Sequence, residues 1–269
     1  MKQAVAPKKP LNELWDWAEN KIQPDVISLT EAKIPKNGLP PSWSALWDPA
    51  GIYPNKKNGN WGTILASRSP RLEPVSEITT KWRKKRLKIK WPATLQVADI
   101  YLENKHWGTI VGLYAANRSQ NGTEFGNGGE NLKLALEQLE PLFDSIHGNR
   151  VVLAGDFNCW PAWISNLIKD YELVDLIEET ASERQPLPRC ANCADTEGIS
   201  NNENFLSSTC GHLWTHKNGT SDNAKVQQID FILSTQDLLN DLNRVYGGVR
   251  DFPDAWDVSD HSPVVAEFK

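Results

Sequence analysis

The chain has 269 residues, 39% of them apolar and 23% charged, with 17 Gly and 17 Pro. This excludes collagenous, low-complexity and wholly disordered chains and leaves a globular protein of one large or two small domains. The net charge of −5 argues against a protein that coats nucleic acid unselectively; yet residues 81–90 carry seven positive charges and no acid, and removing those seven leaves −12 for the remainder. No apolar run reaches the ~18–20 residues that cross a bilayer, and Met1–Pro10 lacks the apolar core of a signal peptide, so a cytoplasmic protein with a flexible tail at 1–10 is expected.

Leu11, Leu14, Trp15, Ala18 and Ile22 recur at helical spacing, and Pro24 ends the pattern before the apolar run Val26–Thr30, which reads as a buried strand. Further strands are predicted at 61–66, 94–101, 108–114, 150–154, 228–233 and 263–268. Leu132, Leu136, Leu139, Phe143 and Ile146 form a helical stripe with a kink or break predicted at Pro141, and shorter helices are expected at 162–169, 172–179 and 236–243. Two segments read as loops: the Gly- and Asn-rich stretch 117–129 and the irregular stretch from about 181 to 212, which holds three of the four Cys. Strands and helices interleave from residue 11 to 269 without a linker, so a single domain is expected over that range.

The most informative string is Gly155-Asp156-Phe157-Asn158, directly after the strand 150–154. Two polar side chains on alternate positions at a strand's end project to the same side of the sheet rim; as an isolated tetrapeptide the same string would read as an Asx-turn. Other strings agree with the site reading. Ser259-Asp260-His261-Ser262 precedes the last strand, Asp230 interrupts an apolar strand where a carboxylate needs a cation or a donor, and Glu31 closes the run 27–30. Four separated acids at strand ends or within strands imply convergence on a hard cation.

Taken together, these residues resemble the endonuclease/exonuclease/phosphatase (DNase I-like) superfamily. The resemblance runs in chain order through Pro24-Asp25-Val26-Ile27 to Glu31, the strand from Trp61 to Arg68, Gly112-Leu113-Tyr114 with Asn117, Gly155 to Asn158, Gln228-Ile229-Asp230 and Ser259-Asp260-His261. It implies an α/β fold, a four-layer α-β-β-α sandwich of two mixed sheets, and a Mg2+-dependent (or Mn2+-dependent) phosphodiester hydrolase, foremost a nuclease on DNA or RNA. The alternatives are a phosphatase or phosphodiesterase acting on a small or lipid phosphate, and a catalytically weak nucleic-acid-binding member. Under the resemblance Glu31 and Asp260 hold the metal, Asp156 activates the attacking water, and Asn158 orients that water or a phosphate oxygen. His261, oriented by Asp230, donates to the non-bridging oxygen, and Tyr114 contacts the scissile phosphate. Many members place a further His in the strand equivalent to 108–114; its absence here makes the chain similar to the abasic-site endonuclease type. Members also begin with a strand carrying an Asn that helps hold the metal. Met1–Pro10 contains no Asn, so that first strand reads as missing or truncated.

Three features lie outside that pattern. The stripe at 81–90, chiefly Lys84, Lys85 and Arg86, and also Arg118 are candidate nucleic-acid contacts, with a lysine-protected strand edge as the alternative for the stripe. Cys190-x2-Cys193 followed by Cys210-Gly211-His212 offers three thiolates and an imidazole, a ligand set for one structural Zn2+; the alternative is reduced thiols with an incidental His. His216 is expected to line the pocket without a catalytic role.

Overall fold

The computed structural model describes residues 11–47, 62–80, 84–116, 128–145, 148–191, 193, 209–219, 221 and 224–269. The expectations for residues 1–10, Asn117 and Arg118 fall outside the described residues. The chain begins with α1 (Leu11–Trp17), continued by a π-helical turn to Ile22 that Gln23 closes in the left-handed region, φ 53°, its N–H bonded to the Ala18 carbonyl. Next come the strands β1 (Val26–Ala32), β2 (Ser44–Leu46), β3 (Gly62–Ser67), β4 (Arg71–Pro74), β5 (Glu77–Thr79), β6 (Lys84–Arg86) and β7 (Leu95–Leu102). Then come β8 (Lys105–Tyr114), helix α2 (Gly128–Phe143), β9 (Val151–Asp156), α3 (Pro161–Leu167), β10 (Leu173–Asp175), α4 (Leu176–Glu179), β11 (Leu187–Pro188) and β12 (Thr209–Cys210). The remainder is β13 (His216–Asn218), β14 (Lys225–Gln227), β15 (Asp230–Thr235), β16 (Leu242–Gly247), α5 (Gly248–Asp251) and β17 (Val264–Phe268).

A six-stranded sheet, ordered β10-β15-β9-β8-β7-β4, forms the centre. Only β8 and β9 run parallel; α2 supplies the crossover that a parallel pair requires. The inner strands β7, β8, β9 and β15 bury residues on both faces, while the edge strand β4 buries none. Val97, Val111, Leu113, Leu153, Phe231 and Leu233 point to one side and pack under Leu132, Leu136 and Leu139 of α2 and Ile164 of α3. On the other side Ala98, Ile100 and Ile110 meet Leu65 of β3, while Val152 and Ile232 meet Val245 and the residues of β17. The second layer is therefore the sheet β1-β3-β2 together with the two-stranded sheet β16-β17, with β1 lying over β8 and β9 and β17 over β15. Among the described residues β1 pairs only with β3, and β17 only with β16. The outermost layer is α1, whose Trp15 is buried edge-on against Trp43, and the segment after α5, where Trp17 packs on Phe252 and donates to Asp254. These four layers are the expected α-β-β-α arrangement.

Local differences from the sequence expectation have physical causes. Residues 172–179 do not form one helix: Glu172 takes φ 53°, Leu173–Asp175 then run as a strand with alternating burial, and the helix starts only at Leu176. Similarly 236–243 is a 3-10 turn to Asp241 followed by β16, whose edge role against β17 carries little apolar periodicity. Helix α2 continues two residues beyond Pro141 before it ends. Asp175 caps α4, accepting from Ile177 N at 2.9 Å. Burial pushes its carboxyl up to about 7 from 3.8, against the pull of the backbone N–H groups of Ile177 and Glu178. A raised folded-state value favours the protonated form, so this contribution to stability is complete below pH 3.8 and is lost as pH rises through about 7. Asp175→Asn, which keeps a capping oxygen, is therefore expected to gain on the parent protein by about 1 kcal/mol or more between pH 5 and pH 8. Paired urea denaturation curves at the two pH values check this; a constant gap contradicts it.

Candidate active site

Three acceptors or donors stand in one row across the central sheet. Tyr114 at the end of β8 is in register with Asp156 at the end of β9, and Asp156 is in register with Asp230 at the start of β15. Since paired residues share a face, all three point into the space between the two sheets, the side on which Gly112, two residues before Tyr114, approaches Ser28 and Thr63. The approach of β8 to β9 requires glycine at 155: φ is +153° and a Cβ there would lie 2.0 Å from the Leu113 carbonyl oxygen.

Asp156 is buried, and both of its oxygens are held by Asn158: Oδ1 accepts from the backbone N–H at 2.9 Å and Oδ2 from Nδ2 at 3.1 Å. Asn158 adopts φ 47°, a conformation Asn tolerates better than most residues. The Asx-turn and the site are thus the same structure, the turn serving to fix the carboxylate. Burial first, then the neighbouring Asp230 and Glu31, push the Asp156 carboxyl up, while His261 and the Asn158 backbone pull it down.

His261 Nδ1 donates to Asp230, with oxygens at 2.9 and 3.1 Å, which turns Nε2 toward Asp156 Oδ2 at 4.0 Å. Burial disfavours the imidazolium, but Asp230, Asp156 and Asp260 outweigh it and hold His261 above its ordinary value. The loop 259–262 that carries it is fastened on both sides: Ser259 Oγ accepts from His261 N, Lys217 N donates to the Asp260 carbonyl, and Ser262 N donates to the Thr215 carbonyl.

Sequence reasoning gave His216 no chemical role and overlooked Thr215. His216 packs against His261 with ring centroids 4.7 Å apart and the planes tilted by 52°, and accepts from Gln227 Nε2 at Nδ1. Burial first and the His261 charge second hold it below its ordinary value. Thr215 Oγ1 accepts from the backbone of both Ile229 and Asp230 and so positions the orienting acid. The sequence signal for Thr215 is weak, a lone Thr beside Trp214; for His216 the sequence pointed to the pocket but not to its partner there.

Glu31 lies within a bulge in β1, where register passes from Leu29↔Ile64 to Ala32↔Gly62, and it takes φ 48°. A Glu in that region costs of order 1–3 kcal/mol, which marks the position as re-aimed. Its charge is felt at Asp156. The compact potential ligand set of this site is His216, Asp260 and His261, with ligand atoms within 4.8 Å of one another; Glu31 stands outside it. Asp156 and Asp230 flank His261, Asp260 lies beside both imidazoles, and the charge of Glu31 acts on Asp156. This oxygen-rich, net negative donor set fits Mg2+, which takes few protein carboxylates and keeps its waters.

The structure does not bring the basic stripe to this row. Lys84, Lys85 and Arg86 form the exposed strand of the hairpin β5-β6, which begins beside the C-terminal end of α2 through the Thr80–Ser145 bridge. The row sits at the opposite end of α2, where Gly128 touches Asn158.

No protein-family model matches the sequence, and neither does any curated protein. Solved structures do match over nearly the whole chain. A 3'-5' exonuclease from Neisseria meningitidis is 17% identical over 97% of this chain and 96% of its own, with a TM-score of 0.56. An AP endonuclease from Archaeoglobus fulgidus is 17% identical over 96% and 94%, TM-score 0.52, and an AP endonuclease from Leishmania major is 13% identical over 97% and 84%, TM-score 0.58. The chain has the fold of the endonuclease/exonuclease/phosphatase superfamily.

Proposed function

We propose that the protein is a Mg2+-dependent phosphodiester hydrolase acting on nucleic acid. The observation that carries this reading is the Asp230–His261–Asp156 arrangement, in which one acid orients an imidazolium beside a second, buried acid fixed by Asn158. Glu31 and Asp260 would hold the cation, which when bound neutralises charge on phosphate oxygens. Asp156 takes the proton of the attacking water at a carboxylate oxygen, and its burial tunes it toward the working pH, as a general base requires. His261 Nε2 donates to a non-bridging oxygen as charge grows there, with Asp230 keeping the ring charged and oriented. Tyr114, one strand along, supplies a further phosphate contact.

Trp160 and Trp163 favour a nucleic acid over a small phosphate. They are 41% and 47% exposed, close in sequence to Asn158, and exposed indoles of this kind stack on bases. The test compares cleavage of an abasic-site duplex and of a generic small phosphodiester, each with and without a polyanion competitor. Preferential cleavage of the duplex, suppressed by the competitor, is expected; efficient turnover of the small ester, indifferent to the competitor, contradicts the nucleic-acid assignment.

The basic hairpin adds a length dependence. The sixteen residues of α2 span about 24 Å, or roughly seven base pairs of duplex, between the row and the hairpin. The triple variant Lys84→Ala/Lys85→Ala/Arg86→Ala is expected to weaken binding of duplexes longer than this span, most at low salt, and to leave shorter ones unchanged. Equal losses for both lengths would refute a distal grip.

A further inference from the structure

Outside the row, the densest cluster of ligating side chains is at the base of the 187–212 segment. Cys190 and Cys193 lie on one turn, closed by the Cys193 N–H to the Cys190 carbonyl, and Cys210 reaches them from β12, which pairs with β11 at Leu187. His212 completes the group. The three Sγ atoms and a ring nitrogen all lie within 4.8 Å of one another, and Cys190 is buried. Cys190 Sγ and Cys193 Sγ are 4.0 Å apart, far beyond the ~2.05 Å of a disulfide. His212 Nδ1 lies 3.3 Å from Cys190 Sγ and 3.2 Å from Cys193 Sγ. For a tetrahedral zinc with Zn–S near 2.3 Å and Zn–N near 2.05 Å, the edges are about 3.8 Å for S···S and about 3.5 Å for S···N. The observed separations are within a few tenths of an ångström of those edges, and the donors, three soft thiolates and an imidazole, are unlike the oxygen-rich row.

We infer that Cys190, Cys193, Cys210 and His212 form a closed, four-ligand structural zinc site. With all four positions filled by protein there is no place for a substrate, so the ion acts by anchoring. What it anchors leads to the row. From His212 the chain passes through Leu213, whose N–H donates to Gln228 Oε1, to Thr215, which holds the Asp230 backbone, and to His216, packed against His261. Sixteen residues separate Cys193 from Cys210, and the ion fixes both ends of that excursion.

The experiment measures metal in the full-length protein purified without chelator, then replaces zinc by Co2+ and records the absorption spectrum. One zinc per chain is expected, together with the intense d–d bands of tetrahedral Co2+ and a thiolate-to-cobalt charge-transfer band. Cys193→Ser is expected to lose the ion and the charge-transfer band, while Asp260→Asn keeps both, which separates this site from the metal of the row. Protein that is folded by circular dichroism yet carries no zinc, with its Cys190, Cys193 and Cys210 thiols freely reactive, overturns the inference. So does zinc that survives in Cys193→Ser but is lost in Asp260→Asn.

Discussion

Asp156→Asn is expected to lower the rate of phosphodiester hydrolysis by about 10²–10⁴-fold, the range that a positioned general base contributes. The same change is expected to leave thermal stability unchanged or to raise it. Asp156 is buried beside Asp230, and both burial and that neighbour oppose its charge; an amide of the same shape carries no charge to desolvate. The opposite signs are what distinguish a catalytic acid from a structural one: a buried acid held for stability would take stability with it when neutralised. Single-turnover rates and melting curves on the same preparations check both halves, and a variant that melts lower while retaining the parent rate contradicts the assignment.

Gly155→Ala is expected to be the most disruptive single methyl in the central sheet. Its Cβ would stand 2.0 Å from a backbone oxygen of β8, and backbone in a parallel ladder has no rotamer by which to move aside. The clash and the positive φ together are expected to cost about 3 kcal/mol or more, at the upper end of overpacking penalties. Either β9 separates from β8 at Leu113 or Asp156 leaves its register with Tyr114, so activity falls as well. Urea denaturation of Gly155→Ala against the parent measures the cost; a loss under about 0.5 kcal/mol, the range of neutral surface changes, contradicts the close-approach reading.

Much of this architecture was legible because its signals are local. The stripe of Leu132, Leu136 and Leu139 and the apolar runs that became β3, β8, β9 and β15 declare their period within a few residues. Asp156, Asp230 and His261 were conspicuous as polar groups at the ends of such runs, and the Cys190, Cys193, Cys210 and His212 spacing is a local pattern too. What escaped depends on tertiary pairing. The strand Leu173–Asp175 is three residues long and exists because β15 offers it an edge. His216 gained its place over His261 from a bridge between segments far apart in the chain. The bulge that re-aims Glu31 is a register shift against β3, which no feature of Val26–Ala32 alone encodes. The basic stripe shows the converse: its charge was plain, but its distance from the row depends on which end of α2 the hairpin meets.

Glu31, Asp156, Asp230, Asp260 and His261 are expected to act together as one metal-dependent hydrolytic site. The most direct measurement is strand cleavage by the purified protein of abasic duplex, plasmid and single-stranded RNA, with Mg2+, after EDTA, and after Mg2+ is restored. The prediction is cleavage of at least one of these that EDTA abolishes and Mg2+ restores, and that Asp156→Asn and His261→Ala both lack. Folded protein that cleaves none of them with Mg2+ present, or whose cleavage survives EDTA and both substitutions, contradicts it.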